Sequence, residues 1–290
     1  MLDILLVLLV VFLILTFFYK QSICEFRINQ LEWAQRENVV ELLHERVPLV
    51  VRGIPSAAFW TRGDVAARDC FESVPVFQDR TVREWLKDAH TAGTDIMVCP
   101  WKHPQAEQIA AVSGLPIWAT KWLNSSVISS WLSYWQFPRY YCWAGHRGLH
   151  RMTAVWTCLF PVDGEVMVSL LPESVESSLP AVWSGCFPAE LTVKDTPFIA
   201  DVKYVDVVLR PGHCLFVPAH WFVSWTGAEG ATSAEGATGA EGATGAEGAT
   251  GAEGATGAKS SETKSMIPMV CQVSYHTPIS YLAFLSRKEV

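Results

Sequence analysis

No run or patch of basic residues occurs anywhere in this 290-residue chain, which argues against nucleic acid as a partner. The eight cysteines include no C-x-x-C pair and sit mostly among apolar neighbours, as in "WTCLF" and "MVCQV". Reduced, buried core thiols are therefore favoured over a disulfide framework or a zinc site. A third deficit is at the N-terminus. The apolar run Leu2–Tyr19 has no basic residue ahead of it, and no small-residue cleavage pattern follows in "YKQSICEFR", so a cleaved signal peptide is disfavoured. As a helix the run would reach about 27 Å. The expectation is a retained single-pass transmembrane anchor over residues 1–20. Lys20 and Arg27 on its C-terminal flank place the following domain in the cytosol. On that orientation the Asn124-Ser-Ser sequon is silent.

The acidic balance is concentrated in one place. Five glutamates lie in the tract 227–258, which has no basic residue, and setting them aside takes the net charge from −7 to −2. The tract is the hexad GAEGAT repeated, with Ser233 replacing one glycine. Glycine at every third residue is collagen-like, but proline is lacking and the repeat is short, so it reads as a flexible loop. It is expected to interrupt a hairpin and to lie at a barrel rim.

Half the residues are hydrophobic, enough for one large core or two small ones. The thirteen tryptophans are spread from Trp33 to Trp225, which implies wide aromatic packing rather than one aromatic box. Residues 20–46 carry Leu31, Val39, Leu42 and Leu43 on a helical stripe, and "VPLVVRGIP" (47–55) reads as a short strand. "TVREWLKDAHTAG" (81–93) begins with a capping Thr and ends with a Gly. In 115–135 the residues Trp118, Trp122, Ile128, Trp131, Leu132 and Trp135 recur at helical spacing, as core packing would require. From about residue 138 short strands and turns take over. The run 153–161, the turn "VDGE" and 166–172 predict a hairpin, and 202–212 alternates with Val202, Tyr204, Asp206 and Val208 on one face. The predicted class is mainly β, a jelly roll or barrel, with N-terminal helices and one transmembrane helix. Its divisions are an anchor (1–20), a helical N-terminal part (21–136) and a β-barrel core (137–290).

Three segments carry a family resemblance: "VPLVVRGIPSAAFW", "WAGHRGLHRMTAVWTCLFPVDGEVMVSLLPES" and "VDVVLRPGHCLFVPAHWFVSW". Together they resemble the JmjC-type cupins, the double-stranded β-helix branch of the Fe(II)/2-oxoglutarate oxygenases. That resemblance implies a 2-His-1-carboxylate iron site, with H-x-D placing two ligands on one strand face. His150 matches the first histidine, but the carboxylate position is Met152 and the late histidine position is Val223. The cosubstrate lysine falls on Val166 and a nearby asparagine on Trp156.

A shifted ligand set would draw on His150 with His146, His213 or His220. On the late strand, however, Trp221, Val223 and Trp225 share one face and His220 the other, so His220 turns inward only through a bulge or a slip. The expectation is a membrane-anchored pseudoenzyme that binds or scaffolds an unidentified protein, with no catalytic residues and no cofactor. One alternative is an active protein hydroxylase using Fe(II) and 2-oxoglutarate at a non-standard metal site. The other is a cupin that binds a small ligand.

Overall fold

The computed structural model describes residues 2–20, 26–54, 74–77, 80–82, 84, 99, 102–120, 123, 136–227 and 268–286. Outside them lie the GAEGAT tract beyond Gly227, the sequon, most of 81–93, and Trp122, Ile128, Trp131, Leu132 and Trp135.

The architecture is two β-sheets around one core. A six-stranded sheet has the order β1 (Asn29–Glu32), β2 (Leu49–Arg52), β10 (Cys214–Pro218), β7 (Trp156–Asp163), β12 (Met269–His276), β5 (Phe137–Ala144). A four-stranded sheet has the order β6 (Arg147–Arg151), β11 (Phe222–Gly227), β8 (Val166–Leu171), β9 (Val205–Leu209). A separate pair, β3 (Pro75–Phe77) and β4 (Arg80–Thr81), stands apart from both. Val166, Val168, Leu170, Val223 and Trp225 of the smaller sheet share a buried cluster with Tyr141, Trp143, Leu159 and Val270 of the larger one.

The larger sheet is covered on both faces, which is why β10 and β12 are buried along their whole length. Its outer face is packed by helices α3 (His103–Ser113) and α4 (Leu115–Ala119), through Ala106, Ile109 and Ala110 and through Trp118, whose ring lies tilted with its centroid 4.8 Å from that of Phe160. Gly114, at φ 83°, ends α3 in the left-handed conformation that glycine adopts without penalty. The outer face of the smaller sheet is roofed by residues 173–204, whose Val175, Leu179 and Val202 bury Leu149, Leu171 and Phe222 in a second small cluster. The last helix, α5 (Pro278–Leu285), is started by reciprocal hydrogen bonds between Thr277 and Ser280.

Several sequence expectations are corrected. Helix α1 (Leu2–Lys20) forms and touches α5, with its described apolar side chains exposed. Among the described residues, however, no helix is long and apolar enough to cross a membrane. The transmembrane helix and the single-pass location are withdrawn, and the fold class is mainly β with some helices.

The predicted helix over 20–46 is broken by β1, which pairs in parallel with β2 and buries Leu31. Only Val39–His44 (α2), preceded by a 3₁₀ segment (Trp33–Asn38), is helical in the described part. Here a ladder partner outcompetes a helical stripe.

The predicted hairpin is likewise not one. β7 pairs with β10 and β12, whereas β8 pairs with β11 and β9, so the turn at Gly164 (φ 73°) carries the chain from one sheet to the other. The repeat tract also joins strands of opposite sheets, β11 and β12. The described residues that flank the connection, Gly227 and Pro268, lie side by side: His146 accepts from Gly227 N while Pro268 O accepts from Gly145 N. The Thr81 cap is present: Thr81 and Glu84 exchange backbone-to-side-chain hydrogen bonds.

Candidate functional site

The strand alternation read for the late segment is the observed one. Trp221, Val223 and Trp225 point into the shared core, while Phe222 points into the roofed cluster. The hydrogen bonds Met152 N to Trp221 O (2.8 Å) and His220 N to Met152 O (2.7 Å) lock the end of β6 to the start of β11. That register sets Val223 directly opposite His150. Met152 lies two residues beyond His150 and lines the same cavity.

His150, Met152 and Val223 are therefore neighbours, all nearly or fully buried. His150 Nδ1 lies 3.1 Å from Gly148 O, and its ring packs edge-on against Trp225 at 5.2 Å. The other sequence candidates lie elsewhere. Val166 is fully buried at the start of β8, opposite Gly227 and Leu209. Trp156 alternates to the outer face, and it is Thr157 that faces inward.

The other three candidate histidines do not join His150. His220 sits in a turn at φ 73°, and its Nδ1 is 3.4 Å from Arg151, on the side where Arg151 is paired with Glu173 and Glu176. His213 lies in the turn after β9, its pKa lowered by burial and by Arg52. Burial also lowers the pKa of His146, which accepts a hydrogen bond from Gly227 N.

What the strands do converge on is a small cleft lined by His103, Tyr141, His150, Met152, Thr157 and three residues of β12. Those three, Gln272, Ser274 and His276, alternate inward along "QVSYH". They are held in place: Trp143 Nε1 donates to Gln272 (3.0 Å), Gln272 donates to Ser274 (2.9 Å), and Ser274 lies 3.3 Å from the Thr157 hydroxyl. His103 packs edge-on against Tyr141, Trp143 and Phe284, and Arg147 lies 3.6 Å over the Trp143 ring. The pKa of His276 is lowered to about 4, mainly by burial, so the ring is neutral at pH 7. Burial pushes the Tyr141 phenol well up. Only ≈ 20 Å³ of the cleft is open to the centre of a water molecule, room for about one ordered water.

Sequence reasoning missed this polar inner face. The period-two polar pattern in "QVSYH" was a usable signal, whereas His103 and Tyr141 arrive from distant segments and gave none.

No family model and no curated protein matches this chain.

The site does not fit the metal and cosubstrate that the resemblance implies. Fe(II) in a facial triad needs two imidazoles and a hard carboxylate oxygen. Beside His150 stand a soft, uncharged thioether and an isopropyl group. Among the described residues, no three His, Cys, Asp or Glu side chains come together to hold a metal ion.

Proposed function

We propose that this chain is a JmjC/cupin-like β-sandwich that acts by binding or scaffolding rather than by oxidation. One observation carries the reading: the two ligand positions nearest His150, one on its own strand and one directly across the ladder, are Met152 and Val223. Replacing a carboxylate and an imidazole with buried apolar groups removes charge and donors, and turns a coordination site into packing. The small open volume of the cleft supports the same reading over a small-ligand pocket, since ligand sites commonly offer about 300–1,000 Å³ of enclosed space.

The test uses the full chain purified without an affinity tag. It is incubated with Fe(II), ascorbate and 2-oxoglutarate, with metal content and succinate measured. The expected result is substoichiometric iron and no succinate, with His150→Ala changing stability alone. A double variant, M152D with V223H, adds two donors to make a set of three with His150 and is expected to gain metal binding. Stoichiometric iron in the unaltered protein, with turnover abolished by His150→Ala, would establish the hydroxylase alternative and end this proposal.

A further inference from the structure

Four cysteines form a file across the outer face of the larger sheet, one on each of four adjacent strands. They are Cys214 on β10, Cys158 on β7, Cys271 on β12 and Cys142 on β5. All four are free thiols, 0–2% exposed, beneath α3 and its neighbours. The sulfurs are not evenly spaced. Cys158 Sγ and Cys214 Sγ are 2.7 Å apart, and Cys142 Sγ and Cys271 Sγ are 3.4 Å apart, so the file resolves into two pairs. Cys142 and Cys271 also face each other directly in the antiparallel register, where Cα atoms lie about 4.5–5.5 Å apart, within the span a disulfide bridges.

From this geometry we infer that the outer face carries two disulfide-forming sites, Cys158–Cys214 and Cys142–Cys271, which close when the chain meets a low-molecular-weight disulfide oxidant. In each pair one thiolate attacks a sulfur of the oxidant, breaks its S–S bond and releases one small thiol, leaving a mixed disulfide. The second cysteine, losing its proton, then displaces the other small thiol. Two protein thiols are oxidised and one small disulfide is reduced to two thiols. Burial pushes the thiols of Cys158 and Cys271 well above their ordinary pKa, which suppresses the attacking thiolate in the closed fold. The exchange therefore proceeds while the sheet is still uncovered, as the chain folds or when α3 parts from β5. Ser113 Oγ of α3 rests 4.0 Å from Cys142 Sγ, at the lip of that cover.

The bridges join residues 56 and 129 apart in sequence, so each restricts a long loop of the unfolded chain. The full chain is refolded once with reduced glutathione and once with an oxidised/reduced glutathione mixture, then alkylated, digested and mapped without reduction. The oxidised sample should contain the 158–214 and 142–271 linked peptides and lose four alkylatable thiols. Its Tm should be about 10 °C higher, reversibly on adding reductant. The double variant C158A/C214A should retain the 142–271 bridge alone. All eight thiols still alkylatable in the oxidised folded protein, linkage to Cys24, Cys70, Cys99 or Cys186, or stable glutathione adducts would each overturn the inference.

Discussion

Acid should destabilise this protein through His276, by an amount that can be worked out in advance. The ring is 2% exposed at the end of β12, between Tyr281 and Phe284 and 3.5 Å from the Ser280 hydroxyl. Burial, reinforced by the nearby Arg139 charge, lowers its pKa from 6.5 to about 4. As pH falls, the unfolded chain takes up the proton first. The stability contributed by the neutral ring is therefore complete above pH 6.5, declines below it, and is exhausted near pH 4. The full effect is about 3 kcal/mol, and at pH 5 it is about 2 kcal/mol. Denaturant unfolding followed by tryptophan fluorescence at pH 7.5 and pH 5 measures it, with H276Q as reference. His146 shifts in the same direction, but both proteins carry it, so the difference between them isolates His276. Parallel pH dependence in the two proteins, or an imidazole pKa above 6 at this position by NMR, would refute the reasoning.

Two further substitutions separate strong constraints from weak ones. In Gly148→Ala the new Cβ would meet Gly185 O at 1.9 Å, between backbones tied by Leu149 N to Cys186 O and Gly185 N to Leu149 O. Thermal unfolding should show a loss of about 1–3 kcal/mol. Gly164→Ala, strained in φ but with open space around it, should lose about 1 kcal/mol or less, and equal losses would contradict the packing described. Arg151→Ala removes ion pairs with Glu173 and Glu176, all three side chains partly solvated, and should cost under about 1 kcal/mol. That cost should shrink further in 1 M salt, so a large, salt-independent loss would show that Arg151 acts by packing over Phe222 instead.

Periodicity in the sequence carried the faces of strands, but not their partners. Val205, Val207 and Leu209 turn inward and Tyr204, Asp206 and Val208 outward, as the alternation requires, whereas Val202, read on the outward face, precedes the strand and is buried in the roofed cluster. The segments 153–161 and 166–172 have the same kind of pattern on either side of a good turn, yet they enter different sheets. A two-residue period says which side chains share a face. It says nothing about which edge accepts the hydrogen bonds. The same limit explains β1, whose Leu31 fits a helical stripe equally well but is drawn into a parallel ladder with β2.

By itself the sequence determined that Met152, Val166 and Val223 are apolar where the resembling family needs charge or metal donors, and that His220 shares a face with Phe222 and not with Val223. The first follows from residue identity, the second from the period-two alternation of an extended strand. Only the tertiary structure decided that Val223 stands opposite His150, and that Gln272, Ser274 and His276 line the cleft with His103 and Tyr141. It also decided that four scattered cysteines fall into two pairs on one sheet face. Those outcomes depend on long-range ladder pairing and on the termination of elements, which are settled by the competition among all segments for the same core.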